Sequence, residues 1–348
     1  MVNQVVWPAT AVDCSTIRFS IEIRLRMCPA SLVQNNFERK IAAIPSLDFS
    51  KRSEMGTNHL TIQEEDDMNR SASLPFLSQE DLYDHEKPYE VWMPTDDPIP
   101  RTNCVFVEQH ETPKEDVRDR SDEFTLGTGG FEFIQHDTSQ LAITGSGIEA
   151  CGREAILPYL NETIELVKQH TQAEKAICFD WRLRKNNTAI QTQAGDAVND
   201  NPEDNRYNFI PPARVVHQDE SAKGGLLVAR RYLRIINIWR PIVERIQDAP
   251  LALCDRRSVS ANDIQACDKI LPSYVGEGTY LHYNLNRKWY WWPKQTRDRP
   301  VLLVKWDSLS EDELACPPLG SFMDYLADPE APPRESIEVR TLVFNNKE

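Results

Sequence analysis

The sequence has no C-x-x-C pair, no run of eighteen apolar residues and no cluster of Lys and Arg. Each absence excludes a class of protein. The eight cysteines (Cys14, Cys28, Cys104, Cys151, Cys178, Cys254, Cys267 and Cys316) are scattered through 348 residues. That spacing fits neither a disulfide framework nor a zinc site, and reduced thiols in the cytoplasm are expected. Without a long apolar run no membrane span is expected. Acidic residues number 54 against 39 basic, for a formal charge of -15, so no nucleic-acid partner is expected. Arg18, Glu22, Arg24 and Arg26 interrupt any basic-then-apolar leader pattern. The sequons at Asn69, Asn161 and Asn186 carry little information without such a leader.

What is present is an ordinary globular composition, with 40% hydrophobic and 9% aromatic residues. Residues 1–80 are poorly patterned and read as an N-terminal extension, although Arg18 to Arg26 alternates like a strand. Residues 81–348 read as a single domain. Within it Phe131 to Ile134 alternates as a strand, and Leu157 to His170 has helical spacing with Leu160, Ile164 and Val167 on one face. Pro158 is compatible only with the first turn of that helix. Strands are expected at Ala176 to Phe179, Arg214 to His217, Arg234 to Trp239, Leu251 to Cys254, Tyr280 to Tyr283, Trp289 to Trp292, Val301 to Val304 and Ser336 to Phe344. Ser221 to Tyr232 suits a helix, and Asn186 to Asn208 a surface loop. Many short strands between turn residues, with few helices, predict a mainly β chain with flanking helices and a jelly-roll core of the cupin kind.

The sharpest local motif is His217-Gln218-Asp219 at the end of an expected strand. Residues i and i+2 of an extended segment point to one side, so an imidazole and a carboxylate can face one cavity. Two histidines and one carboxylate on one face of iron(II) leave sites open for cosubstrate and oxygen. Taken alone, the motif also describes a strand-end histidine paired with a neighbouring aspartate. Farther along, Arg334-Glu335-Ser336 opens a strand, and a guanidinium fork with a serine hydroxyl can hold a carboxylate. Asn237 and Arg240 are candidate pocket residues. Trp239 and Arg240 differ in parity, so only one of them can face inward on a regular strand.

From about Glu86 to Phe344 the chain resembles iron(II)/2-oxoglutarate oxygenases of the gibberellin desaturase, cephem methoxylase and aspergillic-acid hydroxylase/desaturase branch. The matching residues are Glu86-Lys87-Pro88-Tyr89, Asp116-Val117-Arg118, Gly130-Phe131, His217-Gln218-Asp219, Asn237 to Pro241, Pro250 to Asp255, Trp289-Tyr290, Asp307-Ser308 and Arg334 to Phe344. The resemblance implies a double-stranded β-helix, iron(II) on His217 and Asp219, and 2-oxoglutarate on Arg334 and Ser336. It also implies oxidative tailoring of a small apolar metabolite, by hydroxylation or desaturation, in a fungus.

The chain departs from that pattern at one place. The family reads Pro-His-x-Ser/Ala-Phe before its last strand, with the histidine as second imidazole ligand. Here the segment is Pro318-Leu319-Gly320-Ser321-Phe322, so Leu319 takes that position, fifteen residues before Arg334 (334 − 319). Leucine cannot coordinate a metal. His282 is a poor substitute, lying too far before Arg334 for the family's arrangement. Two alternatives therefore stay open: a redox-neutral enzyme (cyclase, dehydratase or cycloaddition catalyst) on the same fold, with His217 and Asp219 as an acid/base pair, or an inactive partner that pairs with a paralogue. A homo-oligomer is a further possibility.

Overall fold

The computed structural model describes residues 69–93, 98, 100–141, 153–187, 207–226, 233–271, 275–308, 310 and 316–345. The strands in chain order are β1 (Arg70–Leu77), β2 (Tyr89–Val91), β3 (Phe106–Asp116), β4 (Phe131–Phe133), β5 (Lys175–Lys185), β6 (Phe209–Ile210), β7 (His217–Gln218) and β8 (Leu233–Pro241). They continue with β9 (Leu251–Cys254), β10 (Ile264–Ile270), β11 (Val275–Leu281), β12 (Trp289–Trp291), β13 (Val301–Asp307), β14 (Leu319–Ser321) and β15 (Glu335–Phe344). Two helices are used below, α1 (Leu157–His170) and the short α2 (Ala222–Leu226).

The strands form two sheets. One has nine strands in the order β1-β3-β12-β9-β14-β7-β11-β10-β2; the other has six, in the order β4-β13-β8-β15-β5-β6. Among the described residues ten of the thirteen strand pairings are antiparallel, and apart from β10–β11 and β5–β6 the neighbours in a sheet are not consecutive strands, as a jelly roll requires. The mainly β, jelly-roll expectation is borne out. Between the sheets lies an apolar cluster of Phe131, Phe133, Trp239, Leu253, Leu303 and Leu319. The other face of the six-stranded sheet packs under α1, where Tyr159 and Leu160 meet Leu183, Ile337 and Val339. Covered on both faces, β13 reads as a near-continuous apolar run from Val301 to Trp306 broken only by Lys305, whereas β8 is an apolar strand interrupted by Arg234, Asn237 and Arg240.

Helix α1 spans the residues its periodicity indicates, with Pro158 in the first turn, where no intrahelical N–H is needed. Of the helix expected over Ser221 to Tyr232, the described part is α2. The expected strand at Arg18 to Arg26 and most of the expected loop at Asn186 to Asn208 lie outside the described residues. Strand β1 falls inside the stretch expected as an extension. It pairs with β3, and its Leu74 and Phe76 are buried among Ala252, Leu281, Trp289 and Phe322. The ordered sheet thus begins ahead of residue 81. Pro75 sits in this strand because β1 is a sheet edge, where one side of the strand has no ladder to supply. Among the described residues no helix is long and apolar enough to cross a membrane.

Candidate active site

Strand β7 is only two residues long, yet it fixes the candidate site. It lies between β14 and β11, with Leu319 directly across from His217 on one side and Tyr280 on the other. Gln218 points away and is held by Thr279, whose hydroxyl donates to its Oε1 at 2.7 Å, and by the Cys316 carbonyl, which accepts from its Nε2. With Gln218 tied down, His217 and Asp219 turn to the other side. The backbone here can approach β11 closely because Gly278 has no side chain. A Cβ there would stand 2.9 Å from the Asp219 carbonyl oxygen and 3.2 Å from that of Gln218.

His217 Nδ1 lies 2.7 Å from the Val215 carbonyl oxygen. A carbonyl only accepts, so in the neutral ring Nδ1 carries the hydrogen and Nε2 presents a lone pair. That Nε2 is 3.6 Å from Asp219 Oδ1. Two lone-pair bearers facing each other at this separation suit a cation held between them. The second carboxylate oxygen, Oδ2, is taken by the protein: Asn237 Nδ2 donates to it at 3.2 Å, and Lys305 Nζ lies 2.9 Å away. Arg340 Nη2 stands 3.6 Å from Oδ1. Burial alone would push the Asp219 carboxyl up; the charges of Lys305 and Arg340 more than reverse this and hold it well below the usual carboxylate range. Burial likewise acts to lower Lys305, and Asp219 outweighs it, keeping the ammonium charged.

These partners come from the six-stranded sheet. On β15, Ser336, Glu338 and Arg340 share a face, opposite Pro241, Trp239 and Asn237 of β8. Lys305 is the extra residue of a β-bulge: Val304 pairs with Ile236 and Trp306 with Ile235, so Lys305 has no partner in β8. A bulge re-aims a side chain, and here it delivers an ammonium into the interior from a strand that is otherwise apolar from Val301 to Trp306.

Arg334 is almost wholly buried. Its Nε donates to Ser336 Oγ at 3.2 Å, its Nη1 donates to the Ala249 carbonyl and to Ser321 Oγ at 2.8 Å each, and its guanidinium lies over the Trp239 ring. Burial and the nearby Arg184 push it down to about 9. No carboxylate lies within ion-pair distance of it among the described residues. A buried guanidinium held by neutral groups alone favours an anionic ligand.

The structure thus brings His217, Asp219 and Asn237 together, and sets Arg334 beside Ser336. Arg240 does not join them. It lies on the opposite face of β8, where its guanidinium donates to Tyr159 Oη, the His136 and Arg297 carbonyls and His136 Nδ1. The pocket role expected for Arg240 is corrected accordingly: parity allows one of Trp239 and Arg240 inside, and Trp239 is the one. His282 is buried with Nδ1 on the Leu77 carbonyl at 3.0 Å. Lys305, Arg340 and Glu338 were missed from the sequence. The signal for the last two was their parity with Ser336, and for Lys305 a lone charge inside Val301 to Trp306. Among the described residues no group of three or more His, Cys, Asp and Glu side chains is placed to hold a metal. His217 and Asp219 fit a cation as two donors, and Arg334 with Ser336 fits a carboxylate.

The chain belongs to the family described as the oxidoreductase/YMDC permease-like domain, whose model matches residues 74–344. By family and fold it is an iron(II)/2-oxoglutarate oxygenase-like oxidoreductase, the class its residues resemble. Among curated proteins it is 28% identical over 258 residues to the Fe(II)/2-oxoglutarate-dependent dioxygenase nvfI of Aspergillus novofumigatus, covering 68% of this chain and 84% of that one. It is 28% identical over 258 residues to the hydroxylase/desaturase efuI of Hormonema carpetanum, covering 66% and 81%. Among solved structures, a variant of the iron and alpha-ketoglutarate-dependent endoperoxidase NvfI superposes with a TM-score of 0.66 at 26% identity, over 80% of this chain and 98% of that one.

Proposed function

We propose that this chain is a tailoring enzyme that oxidises a small secondary metabolite, with iron(II) on His217 Nε2 and Asp219 Oδ1 and 2-oxoglutarate on Arg334 and Ser336. The observation that carries the reading is the pair of lone-pair atoms 3.6 Å apart, one fixed by the Val215 carbonyl and the other by Asn237 and Lys305. Second-sphere bonds of this kind orient ligands and set the histidine tautomer. Leu319, directly across from His217, takes the place of the second imidazole, so the protein supplies two donors instead of three. When bound, iron(II) and 2-oxoglutarate supply oxygen activation for hydroxylation or desaturation. The chain's own groups hold the cosubstrate's distal carboxylate on Arg334, keep His217 in one tautomer and exclude water with Trp239 and Leu319.

A second reading rests on a different observation. Lys305 and Arg340 already neutralise Asp219, so the same pocket supports redox-neutral chemistry with His217 Nε2 as base.

The test mixes apo-protein with iron(II) and 2-oxoglutarate without oxygen and follows the visible charge-transfer band of the chelate, with Leu319→His beside it. A band in the wild type is the expected result, and the third donor should tighten iron by more than the roughly 10–100-fold typical of second-sphere changes. A band only in the variant would transfer the argument to the redox-neutral reading. Loss of the band in Arg334→Met is expected as well, since the cosubstrate loses its anchor.

A further inference from the structure

The interior beside Asp219 holds buried hydrogen-bond donors that its own acceptors do not satisfy. The Lys305 side chain is fully buried, with 0% exposure. Its Nζ is close enough to Asp219 Oδ2 for an ion pair, yet lies outside hydrogen-bonding angles, and no protein group accepts from it. Arg340 reaches the same carboxylate from another strand, and its buried Nε–H has no acceptor among the described groups. Arg184 adds a third cation on the neighbouring strand. It pairs in register with Ser336, donates from Nη1 to the Pro211 carbonyl, and has no carboxylate at ion-pair distance among the described residues. On the negative side stand Asp219, Glu338, which accepts from Asn237 at 2.6 Å, Asp180, whose Oδ2 lies 3.6 Å from Arg340 Nη1, and Glu220 beside Asp219. What is left over is donors and not net charge: Lys305 Nζ and Arg340 Nε have no acceptor among the described groups. Buried donors without acceptors are uncommon in folded proteins, and charge-assisted bonds are the strong ones a ligand can supply.

We propose that Lys305 and Arg340 form an anion seat for the substrate, which is therefore a small metabolite bearing a carboxylate, bound next to His217 and Asp219. The proposal rests on the oxygenase-like reading for the identity of the site and adds the chemical class of its substrate. Arg334 has a separate place at the start of β15, so the cosubstrate and the substrate use different cations.

The full chain, kept free of oxygen and saturated with 2-oxoglutarate, is titrated with a panel of aromatic and terpenoid carboxylic acids, each beside its methyl ester, by ligand-observed NMR. Acids that bind should do so about tenfold or more tightly than their esters, as charge-assisted bonds imply. Lys305→Met and Arg340→Met should each bring that ratio close to one. The double variant Asp219→Asn/Lys305→Met removes the ion pair whole and serves if Lys305→Met alone does not fold; it too should lose the acid preference. The proposal is overturned if no acid binds, if acids and esters bind alike, or if the preference survives in the variants. Displacement of the acids by 2-oxoglutarate also overturns it, since the seat would then be the cosubstrate's. Failure of 2-oxoglutarate itself to bind sinks the oxygenase reading instead, and the acid–ester comparison on the unloaded chain still decides the anion seat.

Discussion

At the scale of single residues, the site is organised by charges placed where strands would normally bury hydrocarbon. Lys305 and Arg340 do this in the interior, and Lys114 does it at the nine-stranded sheet. Lys114 is almost fully buried, donates to the Ala72 and Thr112 carbonyls at 2.8 Å each, and lies over the Phe322 ring. Burial pushes its ammonium down to about 7. The unfolded chain keeps that lysine charged up to about pH 10.4, so between the two values the unfolded state binds more protons. Stability should therefore rise with pH from about 7 toward 10, by up to about 1.4 kcal/mol per unit from this group. Thermal melts of wild type and Lys114→Met at pH 6.5 to 9.5 check this; the rise should vanish in the variant. Loss of stability over that range, or the same rise in both proteins, would show that Lys114 does not set it.

At the scale of elements, the site depends on how closely β7 approaches β11. Gly278→Ala would put a methyl group against two backbone carbonyls, neither of which can rotate away. We expect a cost of about 1–3 kcal/mol and weaker metal binding, because the strain falls on the peptide of Asp219. Gly127→Ala, whose Cβ would meet only Thr125 Oγ1 at 3.7 Å, is the matched control and should melt like wild type. Equal melting temperatures for the two variants would contradict the argument. This is also the scale at which the sequence was most and least legible. Helix α1 could be read to the residue because an apolar stripe and a first-turn proline are local facts. The strand-end position of His217 and Asp219 was legible through its i, i+2 spacing. The inward turn of Lys305 was not, since a bulge is a mismatch between two strands more than sixty residues apart and shows only once their register is known. Nor could parity alone choose between Trp239 and Arg240; the choice depends on α1 covering one face of β8.

At the scale of the whole molecule, β1 is the first of the described strands. Contacts divide the chain at residue 62, and the unit from Gln63 onward contains every described element. We propose that a fragment of residues 63–348 folds cooperatively, and that one of residues 81–348, deprived of β1 with Leu74 and Phe76, melts well below it or does not fold. Circular-dichroism melts of the two fragments decide the matter, and equal stability would show that the edge strand is dispensable. The same scale explains why residues 70–77 were hard to read as core: an edge strand with a proline and two serines has the composition of a loop until its partner β3 is known.

Asp219 follows a strand of one sheet, whereas Asn237, Lys305 and Arg340 stand on the other. The site is thus a clasp across the seam of the barrel, existing only while the two sheets are closed. Any ligand that engages both sides will resist opening of the whole seam. Hydrogen exchange should then slow together at β7, β13 and β15, so that occupancy can be read from the breathing of the fold itself.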